Sequence, residues 1–325
     1  MESSLWSLYC HDSRGLHEIK EAGFKPSGKL WSDISNLLQV LNAKIHPCFK
    51  DQIPTESENF SAMSYRFDNF SFKVLMFVLT TANVKQIRFN NCDLNEDLIA
   101  MIIEIISLDH INWLQIDWNP GLQDYKYSEL LRGDSKLQVL SLKACNLGDN
   151  ALSYICEALK ENKKLKTLDL YGNRIYSLTP IAEMLEVNRS LMHLNLAKNE
   201  LTDEQLMPLV GAFGKIPFPS ERVEEFRRRE KEIIKEKAMK NKGHGEIEPP
   251  ADELIEEEES GQCFLMKNKV FSRLNLSLNK IESDRQLRLI LIQALPHFKI
   301  LMKNNPIPEL VKRPLVIGFS QNLVI

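Results

Sequence analysis

Two places in this chain set an imidazole beside a thiol: Cys10-His11 and His46-Pro47-Cys48. Such groups can bind zinc or make an activated nucleophile. Neither place has a second ligand pair at a finger spacing, so no metal site is expected. His193 falls on the outer side of an apolar-alternating run, and Asp169 occupies the neighbouring run. No nucleophile accompanies them, and one lateral acid–imidazole pair is ordinary surface, so His193 reads as a contact residue rather than a catalyst. The chain carries no phosphate-cradling glycine loop, no metalloprotease helix and no nucleophile elbow. The expectation is a non-enzyme with no cofactor, no metal and no small-molecule substrate.

What remains is the chemistry of contact. In "QIRFN", "WLQIDW", "VLSLK", "TLDLY", "HLNLA" and "RLNLS", polar, charged or aromatic residues alternate with apolar ones. The candidates for protein binding are Arg88, Trp113, Asp117, Lys143, Asp169, Tyr171, His193 and Arg273. Trp, Tyr and Arg are enriched at binding hot spots. Mixed charge suits a specific protein surface better than a nucleic-acid backbone. Trp118 lies nearer the end of its run, where packing is the alternative to contact. A solvated face with scattered aromatics is the alternative for the whole set.

Alternation of this kind demands strands with one buried face. The phrases "LKTLDLYGNRI" and "LMHLNLAKNEL" show how the strands recur. They share a skeleton of Leu, two variable, Leu, one variable, Leu, two variable, Asn, one variable, Ile or Leu, the mark of a leucine-rich repeat. An inward Asn at the end of each strand can bond backbone groups left open by the turn. The corner residues are Cys92, Asn119, Cys145, Asn173, Asn199, Asn279 and Asn305, spaced by 27, 26, 28, 26, 80 and 26 residues. Helical spacing follows the corners, as at Ile181, Met184 and Leu185. The predicted fold is an α/β solenoid, a horseshoe with a parallel concave sheet and convex helices, of the ribonuclease-inhibitor style of repeat. Leu140, Leu168, Leu170, Leu194, Leu196 and Leu274 should be buried, with the contact candidates facing out along the concave sheet.

The spacing of 80 breaks the rule and places an insertion between the fifth and sixth copies. Its first half, residues 219–241, is rich in Glu, Lys and Arg and predicts a helix. Val223, Phe226 and Ile233 give that helix a thin apolar stripe. A partner-docking arm and a solvated helix are both open readings. The second half, with Pro249-Pro250 and glutamates at 256–259, is expected to be weakly ordered by itself. The expected organisation is an N-terminal extension over 1–58, a cap or degenerate repeat over 59–83, and repeats one to five over 84–215. The charged helix and acidic insertion follow over 216–268, then final repeats with a C-terminal cap and tail over 269–325.

A net charge of −3 predicts neither nucleic-acid nor membrane binding. The most apolar run, "LIAMIIEIISL", is too short to span a bilayer and contains Glu104. The start "MESSLWSLYCHDS" has neither the basic nor the apolar region of a secretory signal. The six cysteines are scattered, which suits reduced thiols in the cytoplasm.

The run "LEVNRSLMHLNLAKNELTDEQL", followed by "ERVEEFRRREKEIIKEK", resembles leucine-rich repeat-containing protein 71. The likeness continues where the repeats resume at Asn268-Lys269-Val270, and it covers residues 80 to 307. It implies a protein of cilia or flagella, a structural component of the axoneme with axonemal or cytoskeletal protein partners. It supplies no catalytic residues. Two other functions compete with this scaffold reading. One is a GTPase regulator, because Ran GTPase-activating protein has similar repeats and an acidic stretch. The other is a ubiquitin-ligase substrate adaptor. Against the first, the acidic run here is internal and no motif places an arginine. Against the second, residues 28–47 spell no F-box.

Overall fold

Each leucine-rich phrase folds into a short strand, because alternation of apolar and polar residues buries one face of an extended chain. The computed structural model describes residues 23–50, 58–108, 110–133, 135–212, 215–217, 223–225, 227–228, 231–232, 235, 253–256, 263–266, 268, 270–293, 298–308, 312 and 321–324. The chain forms two compact units, Met1–Ile175 and Tyr176–Ile325.

The first unit lays β1 (Asn59–Met63), β2 (Gln86–Asn90), β3 (Trp113–Gln115), β4 (Val139–Ser141) and β5 (Thr167–Asp169) side by side in chain order. All pair in parallel, with Asn59 opposite Gln86, Gln86 opposite Trp113, Trp113 opposite Val139 and Val139 opposite Thr167. Two helices precede β1, α1 (Leu30–Val40) and the single turn α2 (Pro47–Lys50), and others fill the crossovers: α3 (Asn69–Leu79), α4 (Glu96–Ile105), the single turn α5 (Lys126–Glu129) and α6 (Asp149–Glu161). Side-chain caps start two of them. Asp68 accepts from Ser71 N at 2.8 Å, and Asn95 accepts from Leu98 N at 3.0 Å. The inward face of α6 is Leu152, Ile155, Cys156 and Leu159, at helical spacing and buried. Leu140, Leu168 and Leu170 are buried on the strand side.

The second unit is built alike from α7 (Thr179–Val187), β6 (His193–Asn195), α8 (Met207–Ala212), β10 (Arg273–Asn275), α9 (Arg285–Gln293), β11 (Lys299–Leu301) and β12 (Leu323–Val324). Strands β6, β10, β11 and β12 are parallel neighbours in that order. Leu194, Leu196 and Leu274 are buried. Parallel strands joined by crossover helices, with an inward asparagine ladder, make this a leucine-rich repeat solenoid.

The corners hold the repeats together. Asn119 Oδ1 accepts from Cys92 N at 2.9 Å and Leu94 N at 3.3 Å, while its Nδ2 donates to the carbonyls of Phe89, Ile116 and Asp117. Asn173 repeats this toward Cys145 N and Leu147 N, and Asn279 toward Asn199 N and Leu201 N. Where Cys replaces Asn, the thiol donates instead, from Cys145 Sγ to Ile116 O at 3.2 Å. The chain turns just before each corner through a left-handed residue: Asn91, Trp118, Ala144 and Gly172 in the first unit, Lys198, Leu278 and Asn304 in the second. That conformation costs a non-glycine residue about 1–2 kcal/mol, and Gly172 escapes the cost.

Several features differ from the sequence reading or go beyond it. Residues 59–83 supply a strand and a helix, β1 and α3, and α1 packs against α3. Phe60 of β1 packs on Trp31 of α1 at 6.0 Å and on Phe89 of β2 at 5.3 Å. The end of the chain adds β12 as a further parallel strand. In the insertion, the described residues from 223 to 235 are helical. Part of the acidic half forms a strand that pairs with another segment. Strand β8 (Glu253–Glu256) pairs antiparallel with β9 (Cys263–Met266), which also pairs with β7 (Lys215–Pro217). Counting charge hid this: β9 follows β8 closely, but its other partner, β7, lies at the opposite end of the insertion.

Candidate protein-contact face

Outward positions on the strands form a face in each unit. In the first, Arg88 sits over the Trp113 ring at 5.6 Å and donates from its guanidinium to Gln86 Oε1 at 3.2 Å. Such cation–π contact holds the guanidinium in place without neutralising it. Arg88 has no ion pair among the described residues. Three neighbouring polar atoms, Arg88 Nε, Asn90 Oδ1 and Trp113 Nε1, are buried with no hydrogen-bond partner. Leaving a buried donor or acceptor unpaired costs about 1–3 kcal/mol.

The rest of this face is internally balanced. Asp117 is only 2% exposed. It accepts from Ser141 Oγ at 2.6 Å, from Lys143 N at 2.9 Å and from Gln115 Nε2 at 2.8 Å. Its carboxylate therefore ties β3 to β4. Lys143 Nζ pairs with Asp169 Oδ2 at 3.2 Å, and Asp169 Oδ1 accepts from Tyr171 N at 3.1 Å. Tyr171 is half-buried at the same edge. Trp118 is not packed. It is 56% exposed, because its left-handed backbone turns it away from the core.

In the second unit, His193, Arg273 and Lys299 are register partners on β6, β10 and β11. Burial, and then the neighbouring Arg273, hold the His193 imidazole below its usual range. Arg273, Lys299 and Lys303 are exposed. In the insertion, Val223 is buried, while Phe226 and Ile233 lie outside the described residues. The structure thus brings Arg88 and Trp113 together, joins Lys143 to Asp169, and sets His193 beside Arg273.

Sequence reasoning missed two sets of residues. In the last, degenerate repeat Lys299 occupies the outward slot of Arg273 and Lys303 that of Ser277, so the register alone could have found them. The other set is a second asparagine ladder at the helix exits. Asn162 Oδ1 accepts from Lys164 N and Leu165 N, and Asn188 Oδ1 accepts from Ser190 N and Leu191 N. Asn268 Oδ1 accepts from Phe271 N, and its Nδ2 donates to Leu185 O at 2.8 Å. The signal is an Asn three residues before the first apolar position of a repeat, in "NKKL", "NRSL" and "NKVF".

The imidazole–thiol pair is engaged in structure. His46 Nδ1 accepts from Cys48 N at 3.2 Å, its Nε2 faces Arg66 O at 3.0 Å, and its ring stacks on Phe67 at 4.8 Å. Among the described residues, no group of three or more His, Cys, Asp or Glu side chains is placed to hold a metal ion. Among the same residues, no helix is long and apolar enough to cross a membrane.

Comparison with known proteins agrees with the repeats. A family model described as Leucine Rich repeat matches residues 187–210. The chain is 32% identical over 124 residues to NACHT, LRR and PYD domains-containing protein 14 of Mus musculus. That match covers 36% of this chain and 12% of the relative. The Homo sapiens protein of the same name is 31% identical over 130 residues, 39% of this chain and 10% of the relative. Among solved structures, internalin C2 of Listeria monocytogenes has 15% identity and a TM-score of 0.44, with 91% of each chain covered. Human 5T4, the trophoblast glycoprotein, has 14% identity and a TM-score of 0.42, covering 84% of this chain and 89% of that one. Repeats of this kind present residues on a rigid frame and in general serve protein binding rather than catalysis.

Proposed function

We propose that this chain is a non-enzymatic protein–protein interaction scaffold that binds partners through the outward strand face, with Arg88 and Trp113 as an anchor. The single observation behind this is the Arg88–Trp113 pair. A guanidinium without a counter-ion lies on an indole whose N–H has no acceptor, with an unpaired Asn90 amide oxygen alongside. A partner group that accepts from the free guanidinium edge would pair a charge the fold leaves open. The charged helix of the insertion and the terminal extensions are further proposed contact regions.

The resemblance to leucine-rich repeat-containing protein 71 supports a finer reading, a structural part of the ciliary or flagellar axoneme with axonemal or cytoskeletal partners. Repeat periods of 26 to 28 residues support the ribonuclease-inhibitor style. The described cysteines Cys92 and Cys145 are buried free thiols, which supports residence in the reducing cytoplasm.

The test compares the full chain with an Arg88→Glu, Trp113→Ala variant as bait in extracts of ciliated cells. Captured proteins are identified by cross-linking, and melting temperature controls for folding. Selective loss of partners at unchanged melting temperature is expected. Identical captured sets would overturn the anchor. A tagged chain diffuse through ciliated cells, rather than along the axoneme, would overturn the finer placement.

A further inference from the structure

The second unit carries a row of basic residues, of which Arg273 and Lys299 are cations that its own strands do not balance. His193, Arg273 and Lys299 face one another in register across β6, β10 and β11, so neighbouring Cα atoms stand one strand spacing apart, about 4.8 Å. Arg273, Lys299 and the nearby Lys303 are exposed and have no ion pair among the described residues. The stretches 193–197, 273–277 and 299–303 contain no Asp or Glu. Like charges directly opposite one another on a sheet destabilise it. The buried Leu194, Leu274 and Ile300 hold these strands in place despite that repulsion. A polar donor lies beside the row. Asn275 Oδ1 accepts from Ser277 N at 3.1 Å, and the Asn275 NH2 group has no partner among the described residues.

We infer that this row docks an acidic helix of a partner protein, with carboxylates on Arg273 and Lys299. The inference rests on the scaffold reading and gives it a second surface with a stated partner chemistry. Glutamates at i and i+3 or i+4 of a helix stand about 5–6 Å apart, close to the pitch of the row. Alternate residues of an extended strand lie about 6.5–7 Å apart and fit it less well. The Arg273 guanidinium matches a carboxylate in bidentate fashion. Nucleic acid fits poorly. Strong backbone binding neutralises about 6–10 phosphates, the row is three strands wide, and the chain carries a net charge of −3.

The test uses the full chain and fluorescence anisotropy with three labelled probes. One is a helical peptide with glutamates at i, i+3 and i+4 spacing along one face. The others are its glutamine twin and a single-stranded oligonucleotide of equal charge. The glutamate peptide should bind best, with affinity falling as salt rises. The Arg273→Glu, Lys299→Glu variant should weaken that binding by about tenfold or more at unchanged melting temperature. Arg285→Glu, an exposed change on α9, is the control and should leave binding intact. Equal binding of the glutamate and glutamine peptides, undiminished binding by the double variant, or preference for the oligonucleotide through the same residues would each overturn the inference. Such a result would leave the Arg88–Trp113 anchor standing, because extract capture tests that anchor separately.

Discussion

The outward strand faces of the two units differ, although their inward faces are built from the same residues. In the first unit, charge is settled within the face: Asp117 on Ser141 and Lys143 N, Lys143 on Asp169. What it presents is Arg88 with Trp113. In the second, Arg273 and Lys299 stand in register beside His193 without acids on those strands. The leucine and asparagine skeleton therefore fixes where side chains point and leaves their chemistry open. One frame can offer two surfaces for different partners.

The largest effects should come from the shared frame and be alike in both units. Asn119→Ala and Asn279→Ala each strand two backbone N–H groups at a buried corner, while most of the carbonyls they serve keep a second donor, as Ile116 O keeps Cys145 Sγ and Leu276 O keeps Asn305 Nδ2. Each should lower stability by about 3–4 kcal/mol in denaturant unfolding. Leu168→Ala should cost roughly 2–5 kcal/mol through lost burial and a cavity, with Leu274→Ala comparable. A large cost in one unit and none in the other would break the claim of a common frame.

That frame was the legible part of the molecule. Leu168, Leu170 and Asn173 are close in sequence, and each bonds or packs in a way its own repeat announces. The β7–β9–β8 sheet was not legible, because Lys215–Pro217 and Cys263–Met266 meet across the whole insertion. Asp117 looked like a surface acid, since its slot is outward by alternation. Its burial comes from Ser141 on the next strand, a neighbour that the repeat register supplies and local pattern does not. Trp118 was hard to place because its orientation depends on a left-handed backbone rather than on residue type.

Substitutions on the outward faces should separate the units. Asp117→Ala removes three hydrogen bonds and should destabilise by about 1–3 kcal/mol, measured by urea midpoint. Arg273→Ala, exposed and unpaired, should stay within about 0.5 kcal/mol. Equal costs would erase the distinction between a charge that ties strands together and one left open for contact.

The smallest effect is a pH dependence confined to the second unit. Burial and Arg273 depress the His193 pKa in the folded chain, so the unfolded chain binds this proton more readily. The contribution is present above the unfolded value, about 6.5, and is lost as pH falls through the folded value. Melting temperature should therefore decline more steeply as pH falls below about 6.5 than in His193→Gln. A variant with the same slope would assign the pH dependence to other groups.

Hydroxyl-radical footprinting of the full chain, alone and with a captured partner, tests the contact faces most directly. Trp113 and Tyr171 report on the first strand face. Tyr154 on α6 and Val187 on α7, both exposed on helices, report on the opposite side of the repeats. Binding through the strand face predicts that labelling of Trp113 and Tyr171 falls while Tyr154 and Val187 stay unchanged. Protection of Tyr154 and Val187 with Trp113 and Tyr171 unaffected would contradict it.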